Sequence, residues 1–362
     1  MPSHAQQIRF CTSRDGTRIA FATCGKGPPL LFAQHYIHHL DHDWSSPIWR
    51  PWLELLSRRH TVIRYDWRGC GLSDRDGVEF TPERYRDDLA AVVEAAGLDR
   101  FAMLAMAQGA RIGMGYVAAN PERITRLVLY QPSTGGRGAP GRDPAQAEAE
   151  RTRFKAMELG WLNHEPSYVR FFTSMYVPGA SSEQVRAYND LLRLTTDPPT
   201  IMAMQRSFHL TDVRDDVPKV RCPTLVLHSR DNAIVPFDEG RAVASLIPGA
   251  RFVALPSANH VLLETEPAWQ HLVNALNDFL PPRPNWPSIV LAGLDALSTR
   301  ENEVLELVAQ GLDNTTIGKR LGISERTARN HVSTIVSKLG AGSRAQTIVR
   351  AREAGFGLKT VP

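Results

Sequence analysis

Short apolar runs and longer amphipathic stretches alternate through residues 1–280. Pro29–Ala33, Thr61–Tyr65, Phe101–Ala105, Ile124–Tyr130, Thr224–His228 and Arg251–Leu255 have the length and apolar bias of strands buried in a parallel sheet. Ile8–Cys11 and Arg18–Thr23 flank an Asp15-Gly16 turn and predict a hairpin. Helical patterns fill the gaps at Trp49–Arg58, Pro82–Ala96, Gln108–Asn120, Asp238–Leu246 and Pro267–Leu280. Such alternation predicts a doubly wound α/β sheet. One stretch, residues 140–216, is helix-like throughout and rich in aromatics and methionine, which predicts a helical lid. Residues 281–293 open with Pro281, Pro282, Pro284 and Pro287 and predict a stiff linker. Residues 294–362 are helical again and form a second, small all-α domain.

Composition adds little to a pattern this regular. Apolar residues make up 43% of the chain, enough for a large core. The net charge is +4, and residues 294–362 hold ten basic and seven acidic side chains, a balance of +3. The excess sits where a polyanion partner would bind. Cys11, Cys24, Cys70 and Cys222 form no paired motif, so a reduced, cytoplasmic protein is expected. No apolar run reaches membrane-spanning length, and no membrane partner is expected. His35, His38, His39 and His42 recur beside Asp41 and Asp43. A polar loop bonded locally is favoured there over a metal site, and neither a metal nor a cofactor is expected.

In the C-terminal domain Ser298 and Glu301 have capping-box spacing, and Gly311 ends the helix they start. A short helix, Thr315–Leu321, leads to the turn Gly322-Ile323-Ser324, and Ser324 caps Glu325–Leu339. Ala328, Val332, Ile335, Val336 and Leu339 share one face of that helix. Arg326, Arg329, Asn330, Ser333 and Ser337 share the other. Leu297-Ser298-Thr299-Arg300-Glu301 through Ala309-Gln310-Gly311, Leu321-Gly322-Ile323-Ser324, Thr327 and Lys338-Leu339-Gly340 resemble the LuxR-type helix-turn-helix. The resemblance implies a regulator that binds double-stranded DNA through Lys319, Arg326, Thr327, Arg329, Asn330, Ser333 and Lys338. It also implies a homodimer through the last helix, Ser343–Ala354, with Ala345, Ile348, Val349 and Ala354 as its seam.

Residues 8–280 resemble the α/β-hydrolase family. Asp66-Trp67-Arg68-Gly69-Cys70-Gly71-Leu72-Ser73 is similar to its D-x-R-G-x-G-x-S turn. Ile37-His38-His39-Leu40-Asp41-His42-Asp43-Trp44 resembles hydrolase domains attached to bacterial signalling modules. Ala105-Met106-Ala107-Gln108-Gly109 stands where the family has its G-x-S-x-G nucleophile elbow. The nucleophile position is therefore Ala107, which has no hydroxyl. By resemblance Asp231 is the acid and His260 the histidine. The expected fold is an α/β-hydrolase fold with a helical lid, followed by the helix-turn-helix domain.

No catalytic set is expected from the degenerate trio Ala107, Asp231 and His260. A small organic ligand is expected instead, bound without turnover by His35, Tyr36, Ala107, Gln108, Trp161 and His260. Two alternatives stand beside it. One is an active esterase that uses another nucleophile such as Cys70 or Ser133, or in which Ala107 is an engineered Ser→Ala change. The other is a protein-binding scaffold with no ligand.

Overall fold

The computed structural model describes residues 6–136, 148, 152, 154–160, 166–280, 293–294, 296–353 and 356–357. Two compact units divide the chain, Met1–Pro281 and Pro282–Pro362. The proline-rich residues 281–292, and Trp161, lie outside the described residues.

The first unit is an eight-stranded sheet: β1 (Gln7–Thr12), β2 (Arg18–Cys24), β3 (Pro29–Ala33), β4 (Thr61–Tyr65), β5 (Phe101–Met106), β6 (Ile124–Tyr130), β7 (Thr224–Ser229) and β8 (Arg251–Leu255). Their order is β1-β2-β4-β3-β5-β6-β7-β8. β2 runs antiparallel to both β1 and β4, and every other neighbouring pair is parallel. All six residues of β5 and of β7 are buried, as central parallel strands covered on both faces must be. The covering helices are α1 (Trp49–Ser57), α2 (Pro82–Ala95) and α3 (Gln108–Ala119), then α7 (Phe237–Leu246) and α8 (Pro267–Phe279) beyond the lid. Each expected strand and body helix is present, with ends shifted by at most one residue.

The lid stretch contains α4 (Pro166–Tyr176), α5 (Ser182–Thr195) and α6 (Pro198–Leu210). Local chemistry sets their starts. Ser181 and Gln184 form a capping box for α5, and the Asp197 carboxylate accepts from the Thr200 N–H to start α6. Phe172, Tyr176, Tyr188, Met202, Met204 and Phe208 are buried and join the core of the body.

In the second unit α9 (Thr299–Ala309), α10 (Asn314–Leu321), α11 (Glu325–Lys338) and α12 (Arg344–Glu353) enclose a separate core around Val304, Leu305, Val308, Ile317, Ala328, Val332, Ile335 and Leu339. The Ser298–Glu301 capping box is formed. Gly322 takes φ +64°, a left-handed turn that suits glycine, and the Ser324 hydroxyl accepts from the Thr327 N–H. On the last helix Ala345 and Val349 are exposed and Ile348 is partly buried against its own core; Ala354 lies outside the described residues. Ser298→Ala removes the cap of α9 and should lower the stability of this unit by about 1 kcal/mol, read by chemical denaturation followed by far-ultraviolet circular dichroism.

Candidate ligand pocket and nucleic-acid face

The turn from β5 into α3 places Ala107 at φ +51°, ψ −114°, a backbone rarely adopted by a residue with a side chain. Its N–H donates to the Tyr130 carbonyl (2.9 Å). Two residues on, Gly109 sits so close to the Ala33 and Gln34 carbonyls at the end of β3 that no Cβ fits. This is the strand-turn-helix geometry of a nucleophile elbow, presenting a methyl group.

His260 is fully buried on the loop after β8. Its backbone N–H donates to the carbonyl of Tyr176, the last residue of α4 (2.7 Å), and the Tyr176 ring stands edge-on to its imidazole (5.2 Å). The partner of its Nδ1 is not Asp231. That residue is exposed, and its expected role is corrected here: Asn232 Nδ2 lies 3.0 Å from His260 Nδ1. The Asn232 carbonyl oxygen accepts from the N–H groups of Ile234 and Val235 (2.9 and 3.2 Å), which fixes which end of the amide faces the ring. Asn232 therefore donates, Nδ1 accepts, and the proton of the neutral imidazole sits on Nε2. A triad base needs the reverse tautomer, with Nε2 open to accept.

Gln131, not foreseen from sequence, braces this loop. Held at φ +53°, it accepts from the Ser229 N–H (3.0 Å) and donates to the Ser229 hydroxyl (2.7 Å) and the His260 carbonyl (3.4 Å). His35 is also buried, its ring 5.6 Å from that of His260. Its Nδ1 accepts from the Ile37 N–H, and its Nε2 has no hydrogen-bond partner among the described residues. Burial, with smaller effects from His260 and His38, holds its pKa well below the ordinary histidine value. The neighbouring His38 faces the Asp43 and Asp66 carboxylates (3.5 and 3.6 Å), and His39 Nδ1 accepts from the Asp41 N–H (3.1 Å).

Beside the elbow opens a cavity of about 640 Å³. Gln108, Arg111, Ser133, Gln205 and Glu239 supply polar wall, and Met157, Phe172, Tyr176 and Phe208 supply apolar wall. Trp161 lies outside the described residues; of the five other expected ligand residues, Gln108 lines it directly. Tyr36 adjoins through its hydroxyl, which accepts from Gln205 Nε2 (2.8 Å). His35 and His260 are fully buried and Ala107 is 5% exposed. The sequence reading missed Arg111 and Gln205 and weighed Ser133 only as an alternative nucleophile; the three lie on distant segments. Cys70 is buried with Sγ 3.6 Å from Met204 Sδ, and burial lifts its thiol far above the ordinary range, which argues against it as a nucleophile.

On the second unit Lys319, Arg326, Thr327, Arg329, Asn330 and Ser333 are all exposed, five of them on α11. Lys338 does not belong with them. Its Nζ is bound by the Glu301 carboxylate (2.7 and 2.9 Å) and the Ala296 carbonyl (3.0 Å), tying the end of α11 to the start of α9. This bond and the Ser298 N–H hold the Glu301 carboxyl down at about 2.

Burial also depresses His39, to about 4, and His60 and His228. Below the unfolded histidine value of about 6.5 the unfolded chain binds more protons than the folded one. The stability of the first unit is therefore whole above that pH and is lost as the pH falls through it. Asp66, raised to about 6 by burial, opposes this, but only from its folded value downward. The unfolding temperature of the first unit should fall between pH 7.5 and 5.5, as scanning calorimetry across that range would record.

Residues 36–267 match the α/β hydrolase fold family, and residues 295–351 match the luxR family of bacterial regulatory proteins. A non-heme haloperoxidase of Rhodococcus erythropolis is 27% identical over 262 residues, 69% of this chain and 92% of its own. Among solved structures, a hydrolase from Pseudomonas aeruginosa superposes with a TM-score of 0.63 at 24% identity, covering 76% of this chain and 98% of that one. An esterase from Exiguobacterium antarcticum gives 0.65 at 19% identity, covering 76% and 99%. Among the described residues no helix is long and apolar enough to cross a membrane. From the elbow, the sheet order and the helix-turn-helix together, the chain belongs to the α/β hydrolase fold family and carries behind that domain a DNA-binding domain of the luxR family.

Proposed function

We propose that this chain is a transcriptional regulator whose hydrolase-like domain binds a small organic molecule without turning it over. The observation that carries the reading is Ala107 in the elbow, with Asn232 on His260. An acyl-enzyme needs a nucleophile and a base, and these two residues withdraw both. What remains is a pocket with hydrogen-bonding walls and an apolar lid, of a volume ordinary for a small-molecule site.

The exposed face of α11 would enter the major groove of DNA, with Arg326, Arg329 and Asn330 at base edges and Lys319 at phosphate. Two copies would pair on DNA, with Ala345 and Val349 of α12 as the outward apolar positions. A ligand acts on such a regulator only through its different affinity for two states of the protein.

Thermal unfolding against small esters, lactones and aromatic acids, with each compound recovered afterwards, tests the reading. A ligand at 100 times its Kd should raise stability by about 2.7 kcal/mol and come back intact. Recovery of hydrolysed product would overturn it. Restoring the chemistry is the complementary test. Ala107→Ser alone should give little esterase activity, because Asn232 keeps the wrong tautomer. Adding Asn232→Asp should raise turnover over that single variant on the order of 10⁴-fold. For DNA, Arg326→Ala should weaken operator binding by about 1–3 kcal/mol in a mobility-shift titration.

A further inference from the structure

The chain leaving β3 carries buried polar atoms that the fold itself leaves unused. His35 is fully buried, and its Nδ1 accepts from the Ile37 N–H (3.0 Å), which puts the proton of the neutral imidazole on Nε2. Burial keeps the ring neutral by holding its pKa well below the ordinary histidine value. Nε2–H is therefore a fixed donor, and it has no hydrogen-bond partner among the described residues. The adjoining Gln34 is 1% exposed, and neither end of its carboxamide has a partner among the described residues. Native folds seldom leave such groups unpaired, because each gives up its hydration on burial.

These atoms adjoin both the elbow and the cavity. Gly109 packs against the Gln34 carbonyl, so the start of α3 and the end of β3 touch. Gln108, beside Gly109, lines the cavity, and its carboxamide oxygen is likewise buried without a partner among the described residues. The His35 ring stacks on Tyr36 (4.8 Å) and meets the Tyr176 ring at a steep angle (5.1 Å, 67°). Tyr176, at the end of lid helix α4, also lines the cavity. His35 is thus one side chain removed from the cavity, behind Tyr176.

From this arrangement we infer that the ligand of this domain carries a carbonyl oxygen, to which His35 Nε2–H donates once the Tyr176 ring turns aside. The inference rests on the reading of this domain as a ligand binder and adds the functional group that is recognised. Only the ring has to move, because the Tyr176 carbonyl accepts from the His260 and Val261 N–H groups (2.7 and 3.4 Å) and holds the backbone in place. Fixed in one tautomer, Nε2–H donates and cannot accept, so it selects an acceptor. The Gln34 and Gln108 amides can play either part and discriminate less.

Pairs of one shape that exchange a carbonyl oxygen for a methylene group test this: acetophenone with 2-phenylpropene, 2-acetylnaphthalene with 2-isopropenylnaphthalene, and benzophenone with 1,1-diphenylethylene. Ketones cannot be hydrolysed, so binding is read apart from turnover. In calorimetric titrations of the full chain at least one ketone should bind about tenfold or more tighter than its alkene. His35→Phe keeps the ring and its stacking and should bring that pair within about twofold. The infrared carbonyl stretch of the bound, isotope-labelled ketone gives a second readout on the unaltered chain, whatever the variant's stability. It should lie below the stretch of the same ketone in hydrocarbon, and His35→Phe should return it. Alkenes that bind as tightly as their ketones would overturn the carbonyl inference and leave the ligand-binding reading in place, as a water permanently seated on Nε2 would cause. So would an unshifted stretch, or a shift that survives His35→Phe. If neither member of any pair binds, the ligand-binding reading falls with it.

Discussion

The first domain is organised around one strained backbone position. Ala107 takes a positive φ because β5 and α3 leave no other way to connect: the Gly109 Cα is pressed against the carbonyls ending β3, and the Ala107 N–H is tied to Tyr130 at the end of β6. Three neighbouring strands thus hold the turn. A conformation that costs of order 1–3 kcal/mol survives only where its surroundings over-determine it. In an enzyme that cost supports a reactive oxygen. Here the same scaffold supports a methyl group, and the cavity beside it is what the strain still shapes.

The histidine side of the site follows the same logic by a different route. A triad histidine is tuned by the group on its Nδ1. Asn232 supplies a donor in place of an acceptor, and its own orientation is locked by the two backbone N–H groups of the turn it caps. Gln131 then fixes the loop from beneath. The result is a buried, hydrogen-bonded floor. Alongside it Arg111, Asp238 and Glu239 place charged groups on the cavity wall.

Much of this was legible in the chain. The strands and body helices could be read within a residue of their ends, because buried parallel strands are continuous apolar runs and the helices carry amphipathic faces. Ala107 was legible from its place between β5 and α3. The acid position was not: Asp231 and Asn232 are adjacent, and which one turns inward depends on the turn through Val235, in which Asn232 accepts two backbone N–H groups. The cavity wall was hidden for a different reason. Arg111, Ser133 and Gln205 come together only when α3, the loop after β6 and α6 pack. Lys338 looked like a phosphate contact because its partner, Glu301, lies at the far end of the domain's sequence.

The two hydrophobic cores share no residue: one is centred on the sheet, the other on Val304, Ile317 and Ile335. Separate cores favour separate cooperative units, so a heat-capacity trace of this chain is expected to show two endotherms in place of one melting temperature. Each unit then serves as an internal reference for the other. Any shift that a pocket ligand produces in the second endotherm, or DNA in the first, is a direct measure of the free energy by which the two halves communicate.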